Sequence, residues 1–330
     1  MTTAIDFSTP IWLVNYYHSI GTVSLFINLY TLFLVLFKSE KLDSFKYFLL
    51  TFHSICLLVD VHLTFLMQPQ PLHPIPAGFC TGVLVNWVPC QHLLTAIIAL
   101  MTSQFSILVL CFYQKFLMIK KIESSGIVLW QKMFIFASKP TFVLCVVIYF
   151  VMIGNSKEEE FQIIQRHYPE YESGFRSLAN FALYELNFYW FLALVVCVFV
   201  IIWASGIIFY STRRINEILG RFKSKMSAAS HRTHKSAMRS LIAQLVTSLI
   251  GMCPPMFLCL LMITEWEYAQ NISRFLLLMF STHASLNALV LLATTPSYRK
   301  FTFFWVKRPK IPSMAVSALR VQASGVKTTK

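Results

Sequence analysis

The sequence predicts an all-α fold, a bundle of seven transmembrane helices with the N-terminus outside and the C-terminus cytoplasmic. Three observations predict it. Of 330 residues, 56% are hydrophobic and only 13% charged, against roughly 45–50% and about 25% in soluble domains. Apolar runs of the roughly 20 residues that one crossing needs recur seven times along the chain. The basic residues, finally, concentrate in the connections on alternate sides of those runs. A water-soluble core cannot hide this much apolar surface, which excludes an ordinary soluble enzyme, a disordered chain and a disulfide-stapled secreted scaffold.

The spans read, in order, Ile11–Phe37, Phe45–Met67, Trp87–Tyr113, Met133–Ile153, Asn187–Tyr210, Ser240–Ile263 and Phe275–Thr294. Each is read as a helix because lipid offers no partner to an unpaired backbone. The first is too long for a signal-peptide core and lacks a basic n-region and a small-residue cleavage site, so it is expected to stay in the membrane. Between Asp60 and Lys115 no Asp, Glu, Lys or Arg occurs, a stretch too long for one crossing. Pro69, Pro71, Pro74 and Pro76 interrupt it, since proline cannot continue a helix, and two spans joined by a short uncharged loop result. Span four begins among Lys132, Lys139 and Pro140, so its first turns belong at the interface with Lys139 snorkelling toward headgroups.

Charge sets the orientation. The net charge of +14 would suit a nucleic-acid binder if it lay on folded blocks. It lies instead in loops: of 28 Lys and Arg residues, 24 fall on the side of the C-terminus, counting Lys139 there. The richest loop, after span five, holds Arg213, Arg214, Arg221, Lys223, Lys225, Arg232, Lys235 and Arg239. The other face holds Lys157, Arg166, Arg176 and Arg274 with most of the acid, including Glu158–Glu160. The positive-inside bias then puts the N-terminus outside and requires an odd number of spans. The lipid bilayer, not nucleic acid, is the partner this pattern implies.

Within the spans, seven of the eight cysteines read as small apolar filler. Cys80 lies near the outer end of span three, and the second outer loop, about 154–186, holds no cysteine to pair with it. No outer disulfide is expected. Asp60 is the one acid inside a span; it could bind a cation, act as a conformational switch, or hydrogen-bond Asn or Ser side chains of neighbouring spans. His53, His62, His92 and His283 share the spans, but no spacing among them suits a metal, and neither a cofactor nor enzymatic activity is expected. Pro254 and Pro255 remove two backbone donors from span six and read as a hinge. Trp87, Phe188 and Trp190, with His92 and His283, are candidates for a pocket taking a small, largely apolar ligand, although an interfacial aromatic belt also explains the aromatics. Asn271-Ile272-Ser273 is a glycosylation sequon close to span seven. The aromatic and basic run from Pro296 to Arg308 suits a short helix along the inner leaflet. Residues 1–305 therefore form one membrane domain, and 306–330 read as a disordered cytoplasmic tail.

Several short motifs occur in a telling order. Pro10-Ile11-Trp12-Leu13 with Tyr16-Tyr17-His18 opens span one. Asp60-Val61-His62 lies in span two, and the proline-rich run from Met67 to Phe79 follows it. His234-Lys235 and Arg239 to Leu245 lead to Pro254-Pro255, and Pro296-Ser297-Tyr298-Arg299 closes span seven. In this combination the chain resembles the nematode chemosensory serpentine receptors, closest to class i with class h as its neighbour. The general plan is that of a G-protein-coupled receptor. Tyr113-Gln114-Lys115 stands where rhodopsin-like receptors carry an acidic-Arg-aromatic triplet, span seven has no Asn-Pro-x-x-Tyr switch, and the rhodopsin-type activation lock is not carried over.

The resemblance implies a receptor for an odorant or pheromone-like small molecule in the plasma membrane of sensory neurons, signalling through a heterotrimeric G protein. Lys115, Arg213, Arg214, Arg221, Lys223 and Arg239 are the residues expected to face that G protein. A membrane transporter or ligand-gated channel is the alternative class; it would show internal repeats and a polar pathway, and no repeat is found. An intramembrane hydrolase built on histidine and Asp60 is a further rival, which bound zinc would revive.

Overall fold

A computed structural model describes residues 5–38, 45–123, 129–224, 226–264, 266 and 268–302. Among them, seven helical segments are long and apolar enough to cross a membrane. These are α1 (Ile11–Phe37), α2 (Phe45–Val61, continued to Met67 by a π-helical turn), α3 (Cys90–Lys120), α4 (Leu129–Met152), α7 (Phe188–Arg221), α8 (Ala228–Leu261) and the pair α9 (Ala269–Ser281) and α10 (His283–Thr294). Lys41, Lys225, the side chain of Lys132, the far part of the surface helix and the 306–330 tail lie outside the described residues. What is described of that surface helix is α11 (Pro296–Thr302).

Two helices run well past their apolar windows. At 1.5 Å per residue, the 34 residues of α7 and of α8 each reach about 51 Å, against roughly 30 Å of hydrocarbon. The excess carries Ser211–Arg221 and Ala228–Arg239 past the apolar windows as amphipathic basic helix. Ile215, Ile218 and Leu219 of α7 and Met238 and Leu241 of α8 are buried there, and join Leu108–Ile119 of α3 and Phe52 and Cys56 of α2 in one apolar core. α3 is the central helix, packed on α2, α4 and α7, while α8 packs on α9 and α10 and α10 closes the ring against α1.

The opposite end is built differently. The proline-rich loop, expected to be a plain connection, forms β1 (Pro69–Pro71) and β2 (Ala77–Cys80), antiparallel with Pro69 opposite Cys80. β2 then pairs with β3 (Phe181–Leu183), Gly78 opposite Ala182. Proline is tolerated because β1 is an edge strand. Between α4 and β3 lie α5 (Lys157–His167) and α6 (Glu172–Arg176). α5 starts with a capping box, Ser156 accepting from the Glu159 N–H while the Glu159 carboxylate accepts from the Ser156 N–H. Leu72, Ile75, Phe79, Ile164, Phe175 and Phe181 close a separate small core over this sheet, with Phe7 of the N-terminal segment packed edge-on to Phe175. Cys90 is the first residue of α3, inside span three as read from the sequence, and Trp87, read as the start of that span, precedes the helix.

Candidate functional site

The middle of the bundle holds a tier of buried polar side chains in apolar helices. Along α1 the buried positions Gly21, Ser24, Asn28 and Thr31 recur at helical spacing, so one polar stripe faces inward. Asn28 donates to the Ser24 carbonyl at 2.9 Å and to its hydroxyl at 3.1 Å. Asp60 of α2, only 2% exposed, lies near the Ser24 hydroxyl, and neither of its carboxylate oxygens has a partner at hydrogen-bond geometry among the described residues. Across the bundle Gln104 of α3 and His283 of α10 meet, Nε2 to Nε2, at 2.8 Å. Ser248 of α8 donates to Asn287 at 3.1 Å, and Asn287 donates to the His283 carbonyl at 3.1 Å. His283 thereby links spans three, six and seven.

Two backbone irregularities sit beside that link. Span seven breaks at Thr282, between α9 and α10, directly before His283. α8 stays helical through Pro254 and Pro255, yet these cannot donate to the carbonyls four residues earlier, which loosens the helix there. One turn before the prolines, Gly251 lies against His283: a Cβ built on Gly251 would fall 2.9 Å from the His283 Cβ. Glycine is what lets α8 approach α10 this closely. The histidine, the glycine and the proline pair thus form one contact at which the two helices are both tightly apposed and least braced by their own hydrogen bonds.

At the basic end, Arg213, Lys223 and Arg239 are exposed, Arg213 lying over the Phe209 ring at 5.6 Å. Arg214 and Arg221 are held in an ion-pair cluster. Arg221 contacts Glu123, in the short turn that follows α3, at 3.2 Å and Glu217 at 3.7 Å; Arg214 contacts Glu217 at 2.8 Å and Glu123 at 3.9 Å. Lys115 differs from its expected place on the surface. It is fully buried, its ammonium 5.1 Å over the Phe45 ring, because α3 continues to Lys120 and the cores of α2 and α7 close around it. Its stem and charge are packing elements, not an exposed contact.

The five pocket candidates are not gathered into one cavity. Trp87 and Phe188 are each 73% exposed and His92 is exposed, as in an interfacial belt. Trp190 is buried at the start of α7, whose first turn is capped by Asn187. His283 alone belongs to the polar tier. Gln104, Asn287, Ser248, Ser24 and Asn28 complete that tier, and sequence reading missed them as a set; the i, i+3, i+4 recurrence of small and polar residues in α1 was the available signal. Asn271 is exposed in the first turn of α9, while the Ser273 of its sequon is buried and donates to the Ala269 carbonyl.

The cap has its own electrostatics. Glu160, counted in sequence among surface acids, is 2% exposed. It accepts from Lys157 at 2.8 Å and from the Leu183 N–H at 3.0 Å, fastening α5 to β3. Burial raises its pKa, and Lys157 and that N–H pull against the rise. Asp6 is lowered, first by the Ser8 hydroxyl and further by Arg274, whose guanidinium it meets at 3.1 Å. Burial pushes His73 down to about 4, opposed in part by the Leu258 carbonyl of α8. Tyr17 of α1 donates to the Pro69 carbonyl at 3.2 Å. The cap is therefore anchored to spans one, six and seven.

Comparison with known proteins agrees with this arrangement. Residues 3–302 match the family described as serpentine type seven-transmembrane G-protein-coupled-receptor chemoreceptor Sri. Among solved structures the chain is similar to squid rhodopsin, with a TM-score of 0.53 at 11% identity, covering 92% of this chain and 88% of that one. At that identity the likeness is one of fold. No curated protein matches.

Proposed function

The chain belongs to the Sri family of serpentine seven-transmembrane chemoreceptors, a class of receptors and not of enzymes, and from that premise we propose a ligand-driven conformational switch coupled to a G protein. The capped end faces outward and the basic end the cytoplasm, the orientation that the positive-inside bias favours. The protein sits in the plasma membrane of a sensory neuron. A small environmental or pheromone-like ligand binds in the half of the bundle beneath the cap, between it and the polar tier. It favours a state in which α8 moves about Pro254-Pro255, and the exposed Arg213, Lys223 and Arg239 engage a heterotrimeric G protein.

The observation that carries this reading is the His283–Gly251 contact beside the proline pair. A ligand shifts such an equilibrium only by its difference in affinity for the two states, and a tight contact across two weakened helices is where two packings are close in energy. Adding one methyl there perturbs the balance without touching either end. The test is a G-protein reporter in cells expressing the receptor, screened with volatile and water-soluble compounds. Gly251→Ala is expected to change basal signal at equal surface amount. Unchanged basal and evoked signals in that variant would remove the contact from the mechanism.

A further inference from the structure

One charged side chain inside a span, Lys139, takes part in neither the polar tier nor the basic end's ion pairs. Lys139 lies in α4, six residues from Met133 and thirteen from Met152, the ends of that apolar segment; it is therefore about 9 Å into the span from the basic end. It is half-buried and lines a partly enclosed cavity of about 230 Å³ between α3, α4 and α7. No carboxylate lies within ion-pair reach of its ammonium among the described residues. Beside it are two hydroxyls, that of Ser106, which is buried, and that of Ser138, which donates to the Ile135 carbonyl at 3.0 Å. The remaining wall is apolar, with Phe142 and Trp203 prominent. Trp203 and the Phe134 and Leu144 faces of α4 are more than half exposed, which in a membrane means exposed to acyl chains.

An ammonium at this depth is costly unless it reaches headgroups or meets an anion. Lys139 points into a cavity that already supplies a hydroxyl donor and an aromatic wall open to lipid. We propose that this cavity binds an anionic amphiphile. Its carboxylate or phosphate head pairs with Lys139 and accepts from Ser106, and its chain lies against Phe142 and Trp203. Such a molecule bridges α3, α4 and α7 on the face where α4 has few other buried contacts. The site is separate from the polar tier and does not depend on the receptor reading.

Native mass spectrometry of the full chain released from detergent micelles tests it, with dioleoyl phosphatidic acid, oleate and dioleoyl phosphatidylcholine as probes. The native protein is expected to hold one molecule of phosphatidic acid or oleate in preference to phosphatidylcholine. A charge-assisted contact of this kind makes the loss in Lys139→Gln about tenfold or more in affinity. Lys139→Arg keeps it, and Lys300→Gln, at an exposed position of α11, leaves it unchanged. Dependence on Lys139 for phosphatidic acid identifies a membrane-lipid head, and for oleate alone a fatty acid; both support the site. Should Lys139→Gln not fold, Ser106→Val reads the second contact and is expected to weaken binding severalfold. Equal retention of both anionic probes by native protein and by either variant would overturn the proposal and leave Lys139 as a snorkelling side chain.

Discussion

The two ends of the bundle solve opposite problems. The capped end closes itself: a three-stranded sheet, α5, α6 and the N-terminal segment bury Phe175 completely and Phe181 to 3% exposure, and the Glu160–Lys157 pair and the Asp6–Arg274 pair fasten them. The basic end leaves its charges out. Arg213, Lys223 and Arg239 project from helices that overrun the membrane, and the ion pairs there are partly exposed. Each cap pair sets a buried partner, Glu160 or Arg274, against a half-exposed one, and a buried charge left unpaired is costly. The Arg214–Glu217 and Arg221–Glu217 pairs have both partners partly exposed and are worth little. One end is thus made to hold its shape and the other to change partners, with the His283–Gly251 contact between them.

Substitutions should follow that division, most strongly at the cap. Phe175→Ala empties the small core and is expected to cost about 3–5 kcal/mol, seen as a large fall in melting temperature of the purified protein and in surface amount. Gly251→Ala, which forces a methyl against His283, should cost about 1–3 kcal/mol and change basal reporter output as well. Glu123→Gln removes one of the two carboxylates that hold Arg214 and Arg221, leaving Glu217, and should move stability by no more than about 1 kcal/mol. Its basal signal should nevertheless differ from native, because the ion-pair link between the turn after α3 and α7 is cut. A melting temperature as sensitive to Glu123→Gln as to Phe175→Ala would erase the distinction between the ends.

A separate effect concerns pH. His73 has its pKa lowered from 6.5 to about 4 by burial, so the unfolded chain binds its proton more readily than the folded one. Its contribution to cap stability is complete above pH 6.5 and declines as pH falls from there toward 4. Melting curves across that window should show the decline, and His73→Gln should flatten it. Equal slopes in both proteins would assign the acid sensitivity elsewhere.

Much of the membrane part was legible because lipid imposes simple rules. The 54-residue charge-free stretch, the four prolines and the apolar runs located span two as Phe45–Met67, as observed. Span ends on the basic side were misjudged for a physical reason: α7 and α8 continue as amphipathic basic helix once the apolar window ends, and hydropathy stops where the helix does not. The cap was illegible because its sheet joins β2 to β3 across about a hundred residues, and strands of three or four residues, the first of them holding two prolines, carry no alternating pattern. The buried places of Lys115 and Glu160 were hidden likewise, since each depends on neighbours distant in sequence. Of the site, Asp60, His283 and the proline pair were readable as costly residues in lipid. Their partner Gln104 and the role of Gly251 emerge only from helix apposition.

The measurement that bears most directly on the division of labour is nucleotide exchange on a heterotrimeric G protein, evoked by a compound from the reporter screen. It compares native receptor with Arg213→Ala/Lys223→Ala/Arg239→Ala at equal surface amounts. The account predicts that the triple variant binds the compound as the native protein does, keeps its melting temperature to within about 1 kcal/mol of stability, and loses most of the evoked exchange. Full exchange by the correctly inserted variant would contradict it.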